Sequence, residues 1–569
     1  MKKFVTFLLV YSMLAMSLAG CAAKEQPISQ SSANAAELEG TAIVLSDEGI
    51  TVDGAAISAD TSAAVYAAND IVYYEEGRDF TYGEGAEEDA HSAEEATAHT
   101  VVHITQPGTY ILSGKLSAGQ VAVDLGEDAE EDPDAVVTLV LNDVDIYCSV
   151  APAVIFYEVY ECGSSDAETA AKDVDTSAAG ANVLIADGTV NNIYGAYVAR
   201  IYKPESVELN EDGTEVADAK KLHKYDAAFY SKKSMNVDAW GDGTGVLNIN
   251  AENEGLDSEL HLTINGGNIN ITSGNDGINT NEDGVSVTTI NGGSVNIVVT
   301  GTTGEGDGID SNGWLVINGG TVTAAACGFS GDSGIDSDMG IHVNGGTVIA
   351  SGNMLDRLEE GGQNYAVFTF ASTQSGGSTY ALKNEAGETV AEYAPANDFS
   401  ILVVSSPELT AGEYTFWQGE TQLAASGGMG GFGGGMMPGF GGGQRLEDME
   451  EPPELPEGEA WTQPAQMPEN MEDMTPPEGM ENMERPELPE GMERPEGGMG
   501  EVTPNEDGTI TLPDGTTVDP SQMERPEGGR GGGFGGRGQQ GGGQGSGELS
   551  AAYTIVDGAN YFSGVTAAE

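Results

Sequence analysis

An Asn-Gly-Gly triplet recurs at residues 265–267, 291–293, 318–320 and 344–346, at intervals of 26, 27 and 26 residues. No other feature constrains this chain so strongly. Each triplet is flanked by alternating β-branched segments: Leu262-Thr-Ile264 before and Ile269-Asn-Ile271 after the first, Leu315-Val-Ile317 before and Thr321-Val-Thr323 after the third. Period-two alternation marks strands, and Asn-Gly marks the corner between them. Simple hairpins would satisfy the local pattern but do not demand a fixed repeat. One coil of a solenoid does, and three short strands with three turns use about 26 residues at ~3.3 Å per strand residue. The expected fold is therefore all-β, a right-handed parallel β-helix whose coils stack and bury their inward Ile, Val and Leu in one cylinder.

A second repeat runs out of phase with the first. It reads Glu254-Gly-Leu-Asp257, Asp276-Gly-Ile-Asn279, Asp307-Gly-Ile-Asp310 and Ser333-Gly-Ile-Asp336. Stacking at ~4.8 Å per coil places Asp257, Asn279, Asp310 and Asp336 in one ladder and Glu254, Asp276 and Asp307 in another, with Asp332 displaced by one residue. Residues 234–356 hold 16 Asp and Glu and no Lys or Arg, so the repeats contain no cation of their own. Carboxylates at that spacing take up protons or require a cation. Calcium, which takes 6–8 oxygen ligands in adaptable geometry, is the natural candidate. The alternative is that these Asp and Asn side chains serve only the turns.

Composition adds exclusions. With 92 acidic against 21 basic residues and a formal net charge of −71, the chain lacks the Lys and Arg that phosphate neutralisation requires, which argues against nucleic acid as a partner. Residues 1–21 read as a lipoprotein signal peptide: Lys2 and Lys3, an apolar run, then Leu18-Ala19-Gly20-Cys21, with Cys21 as the lipidated residue and membrane anchor. That reading locates the polypeptide on the extracellular face of a bacterial membrane. Residues 22–40 read as a flexible tether. Cys148, Cys162 and Cys327 remain, an odd number, with Cys148–Cys162 as one candidate bridge.

Residues 426–548 change character, with 12 of the 18 Met, 15 of the 22 Pro and no Lys. Such composition reads as a long disordered insertion. Thr509-Ile-Thr-Leu-Pro-Asp-Gly-Thr-Thr-Val518 is a candidate hairpin within it. The strand-like residues 549–569 are expected to return to a β-rich cap shared with 364–425.

Several co-linear segments carry a resemblance: Ile104-Thr-Gln-Pro-Gly-Thr-Tyr-Ile-Leu-Ser-Gly114, Val137-Thr-Leu-Val-Leu-Asn-Asp-Val-Asp-Ile146, Asp226-Ala-Ala-Phe-Tyr-Ser-Lys232 and the two repeats. Across residues 41–425 the sequence resembles the clostridial extracellular carbohydrate-binding β-helix proteins, whose fold is similar to family 9 pectate lyases. The resemblance implies calcium-assisted binding of plant cell-wall polysaccharide, polygalacturonate or cellulose among the ligands, and carries the calcium role to Asp276, Asp307, Asp310 and Asp336, with Asp257 and Asn279 behind them. Trp240, Trp314 and Phe329 are candidates for stacking on sugar rings, although each would equally serve to fill or cap a coil. The similar lyases use a lysine base beside calcium. Here Lys232 and Lys233 lie just before the coils and Arg357 just after, so the expected base within the coils is missing. A pectate-lyase-like enzyme and a purely structural stalk are the two rival readings.

Overall fold

Asn-Gly-Gly works as a corner for two separate steric reasons. The second glycine lies at positive φ, +80° at Gly293 and Gly320 and +82° at Gly346, a region that Cβ-bearing residues rarely adopt. At the first, a Cβ would lie 2.5 Å from the backbone oxygen of the preceding repeat, as Gly319 does against Asn291 and Gly345 against Asn318. The asparagines stack, Asn291 Nδ2 donating to Asn265 Oδ1 at 2.8 Å, Asn318 to Asn291 at 2.9 Å and Asn344 to Asn318 at 2.8 Å. The chain is described here by a computed structural model over residues 39–426, 503–504, 510–511, 517–518 and 549–568. The signal peptide, the Cys21 anchor, nearly all of the tether and most of the 426–548 insertion lie outside these residues.

The described residues are all-β apart from short helices such as Ala93–Thr97. The repeats build three parallel ladders, the last repeat adding a strand only to the first two. The first ladder runs through Met235–Trp240, Leu262–Ile264, Val287–Ile290, Trp314–Ile317 and Gly340–Val343. The second holds Val246–Ala251, Asn268–Ser273, Ser294–Val299, Thr321–Ala325 and Thr347–Gly352. The third holds Ala227–Ser231, Glu254–Ser258, Ile278–Thr280 and Ile309–Ser311. Upstream strands extend all three, with Val137–Cys148 long enough to serve both the first and the second.

Register makes the core. Ile264, Ile290 and Ile317 pair in one column, Ile271, Ile297 and Ala324 in a second, and Leu256, Ile278 and Ile309 in a third, all essentially without solvent contact. Burying each large aliphatic side chain stabilises the fold by about 1.5–3 kcal/mol. The glycines of the Glu/Asp-Gly motif serve close approach as well. A Cβ on Gly308 would lie 2.3 Å from the Gly334 oxygen.

At the C-terminal end parallel pairing gives way to antiparallel pairing. Thr347–Gly352 pairs with Phe399–Ser405, which pairs with Tyr365–Gln374, and Ala559–Ala567 lies parallel to the last of these. A second apolar cluster, separate from the ladder core, fills this region, with Phe368 stacked on Phe416 at 4.1 Å and on Phe562 at 5.4 Å. Of the insertion, Ile510–Thr511 pairs antiparallel with both Thr517–Val518 and Thr503–Pro504. Cys148, Cys162 and Cys327 are all free thiols, the first and last buried, so no Cys148–Cys162 bridge forms.

Candidate metal centre

The third ladder sets the acidic side chains in register. Phe229, Leu256, Ile278 and Ile309 face the core, so the next residues along, Tyr230, Asp257, Asn279 and Asp310, share the opposite face. Glu254 stands opposite Ala227, next to Asp226. Asp226, Glu254 and Asp257 are all buried, and each offers a carboxylate oxygen within 4.8 Å of those of the other two.

Hydrogen bonding satisfies part of this cluster. Asn281 Nδ2 lies 3.0 Å from both oxygens of Asp257. Asn279 Nδ2 donates to Glu254 Oε1 at 3.2 Å, and Lys224 Nζ pairs with Asp226 Oδ2 at 2.5 Å. Two acceptors are left over: Glu254 Oε2 and Asn279 Oδ1 are buried with no donor. Burial, and then the charges of Asp257 and Asp226, push the Glu254 carboxyl well above its usual range. Asp257 is raised by burial and by Asp226, and Asp226 by burial against the opposing pull of Lys224.

This donor set fits a hard divalent cation. All its free atoms are oxygens, which calcium prefers, and no His or Cys belongs to the cluster. When ionised, three carboxylates against one ammonium would leave two negative charges without a counter-charge. Asp226, Glu254 and Asp257 are the residues that would hold the ion, with Asn279 Oδ1 as a neutral donor beside them.

The cluster borders an open cleft of about 320 Å³, lined by Lys221, Lys224, Asp226, Glu259, Asn281, Glu282, Asp283 and Asn312. The lysines reach it from outside the repeats. Strand Lys221–Tyr225 pairs antiparallel with Val198–Tyr202, so the mixed-charge insertion at 203–224 folds back as a hairpin whose end meets the ladder. Lys221 Nζ is 2.9 Å from Glu259 Oε1. Burial pulls Lys224 down, but the charges of Asp226, Glu254 and Asp257 outweigh it and hold the amine protonated.

Of the residues anticipated as ligands, Asp257 and Asn279 lie in this centre, and Asp310 is the next rung beyond Asn279. Asp276, Asp307 and Asp336 lie around later rungs. Asp276 Oδ1 accepts from the Asp307 amide at 2.6 Å, and Asp307 Oδ1 from that of Ser333. These two side chains therefore brace the stack, whatever else they bind. Burial and then Asp338 and Asp356 push Asp310 up to about 6; burial, Asp356 and Asp310 push Asp336 up to about 8. Asp336 Oδ1 is a third buried acceptor without a donor.

The aromatic candidates are not gathered at the cleft. Trp240 and Trp314 are half-buried at strand ends in the first ladder, and Phe329 is 69% exposed. Lys233 pairs with Glu130 at 2.8 Å and Glu158 at 3.3 Å, Lys232 pairs with Glu158, and Arg357 pairs with Glu359.

Residues 98–360 match the family model described as "Carbohydrate-binding domain-containing protein". That span contains the whole centre and its cleft. Among solved structures the chain is similar to the gadolinium derivative of a polysaccharide lyase-like protein from C. thermocellum, with 19% identity, 55% of this chain and 90% of that chain covered, and a TM-score of 0.31. No curated protein matches it.

Sequence reasoning missed Asp226, Lys221, Lys224 and Asn281, and placed Glu254 in a ladder without naming it a ligand. Asp226 carries a weak signal, since it sits about one repeat before Glu254, but it lacks the following glycine that marks the other corners.

Proposed function

We propose that this chain binds polysaccharide, with calcium held by Asp226, Glu254 and Asp257 assisting at the adjoining cleft, and that its three ladders are the faces of a right-handed parallel β-helix. The observation that carries the site is the pair of buried oxygens without donors, Glu254 Oε2 and Asn279 Oδ1, in a cluster of three buried carboxyl groups with one lysine partner. Leaving such acceptors dry and unpaired costs about 1–3 kcal/mol each, so a ligand that coordinates them is favoured. The carbohydrate class rests on the family model that spans these residues.

An acidic plant cell-wall glycan of the polygalacturonate type suits the cleft best. A bare surface of charge −71 repels a polyanion. Lys221 and Lys224 offset part of the charge of Asp226, Glu259, Glu282 and Asp283 in the cleft lining, and the carboxamides of Asn281 and Asn312 present donors and acceptors to hydroxyl groups. Bound calcium would neutralise the carboxylate cluster and offer its remaining coordination positions to a sugar carboxylate.

A lyase reading finds its own support in Lys224, the amine next to the triad. Proton abstraction requires that amine neutral. Its pairing with Asp226 holds it charged, which favours binding over catalysis. A glycan array with and without calcium tests the proposal: signal on acidic cell-wall glycans only in calcium supports it, and no glycan signal in either condition favours a stalk. Accumulation of an unsaturated, ultraviolet-absorbing product from polygalacturonate would decide for the lyase.

A further inference from the structure

The second ladder carries a polar and aromatic column that the cation site does not use. Tyr147 and Tyr194 stand opposite each other in adjacent parallel strands and stack face to face, with ring centroids 4.3 Å apart and planes within 8°. Tyr147 keeps 43% of its surface in solvent. Two residues earlier on the same face, roughly 7 Å away, runs a chain of carboxamides. Asn270 Nδ2 donates to Asn248 Oδ1 at 3.0 Å, Asn248 to Asn192 at 2.8 Å, and Asn192 to Asp145 Oδ1 at 2.5 Å. Lys115 lies opposite Asp145 in the neighbouring strand. Tyr147, Tyr194, Asp145, Asn192, Asn250 and Lys115 line a cleft of about 190 Å³.

We propose that this face is a second glycan subsite, for a neutral polysaccharide and independent of any cation. It rests on the reading that the chain binds polysaccharide, not on the calcium in that reading. A sugar ring has an apolar C–H face and a rim of hydroxyls. The ring surface that Tyr147 leaves exposed offers a flat apolar platform at low entropic cost. Asp145 accepts from sugar hydroxyls, and Lys115 and the asparagines donate to them, in the manner of other carbohydrate-like polar recognition by few, fixed groups. The ladder repeats these groups every ~4.8 Å, which suits a chain of repeating units more than a monosaccharide. Charge selects the neutral class. Asp145 and Glu252, the latter accepting from the Tyr194 hydroxyl at 2.7 Å, set two carboxylates against one lysine here. The acidic triad that would bridge a carboxylate sugar lies instead on the third ladder.

The test is titration of the full chain with cellohexaose in EDTA, followed by calorimetry. The native chain is expected to bind, Tyr147→Ala to bind about tenfold more weakly or worse, which is about 1.4 kcal/mol, and Tyr147→Trp to retain affinity. Thermal melting of each variant establishes that the ladder still folds. Absence of binding by the native chain, or undiminished binding by a folded Tyr147→Ala variant, overturns the proposal. Calcium-dependent binding of polygalacturonate by the same native preparation reports separately on the reading beneath it.

Discussion

The carboxamide nitrogen of Asn279 stands 3.2 Å from Oε1 of Glu254 on the neighbouring rung, while Oε2 of that glutamate and Oδ1 of that asparagine are buried with no donor. One contact orients both side chains and leaves two oxygens unsatisfied beside the carboxylates of Asp226 and Asp257. Buried polar groups are almost always paired, and the exceptions call for a ligand or a function.

Glu254→Gln keeps the size of the side chain and removes one charge. Calcium affinity is expected to fall at least tenfold. In chelator the variant should be more stable than the native chain by about 1–3 kcal/mol at neutral pH, because a costly buried carboxylate is gone. Chemical unfolding with and without calcium measures both effects. A variant less stable than native in chelator would contradict this.

Stability should depend on pH in opposite senses with and without calcium. Asp310 and Asp336 titrate near 6 and 8 when folded, against an unfolded value of 3.8, so the folded state holds more protons in that window. Without the ion, the contribution of these two groups to stability is therefore fully present below about pH 4 and is lost as pH rises through 6 and 8. Calcium needs Asp226, Glu254 and Asp257 deprotonated, and burial raises all three, so its stabilising effect should grow as pH rises and its binding should release protons. Melting curves from pH 4 to 8, and calorimetry in two buffers of different ionisation enthalpy, read these effects.

The repeat offers a steric contrast. Gly319→Ala drives a Cβ to 2.5 Å from the Asn291 oxygen, whereas a Cβ on Gly331 meets nothing within 4 Å. The first should cost about 1–3 kcal/mol and the second almost nothing. Equal effects would show that the corner tolerates displacement.

Core register gives a further prediction. Ile297 is fully buried between Ile271 and Ala324 in successive strands. Ile297→Ala should destabilise the chain by about 2–5 kcal/mol in urea unfolding.

The ladders were legible because Asn-Gly-Gly and Asp-Gly-Ile are both corner chemistry repeated at nearly constant spacing. Their glycines are required by positive φ at Gly293 and by a close backbone approach at Gly308. Asp257 and Asn279 could be placed in one ladder on that basis, and they are paired. Asp226 could not, since its partners come from the following repeat and no glycine marks it. Lys221 and Lys224 were hidden differently. They belong to an insertion whose antiparallel pairing with Val198–Tyr202 carries them back to the ladder, and spacing along the chain does not encode that return. The Tyr147–Tyr194 stack depends on strands before the regular repeat begins, where the register is set by the long strand Val137–Cys148. Trp240, Trp314 and Phe329 were chosen for residue type alone, and composition cannot show which aromatic faces a cleft.

Equilibrium binding of polygalacturonate to the native chain and to Glu254→Gln, each in calcium and in EDTA, tests the central claim most directly. Binding by the native chain in calcium, its loss in EDTA, and weak binding by the variant in both are expected. Binding by the native chain that is undiminished in EDTA would contradict that claim.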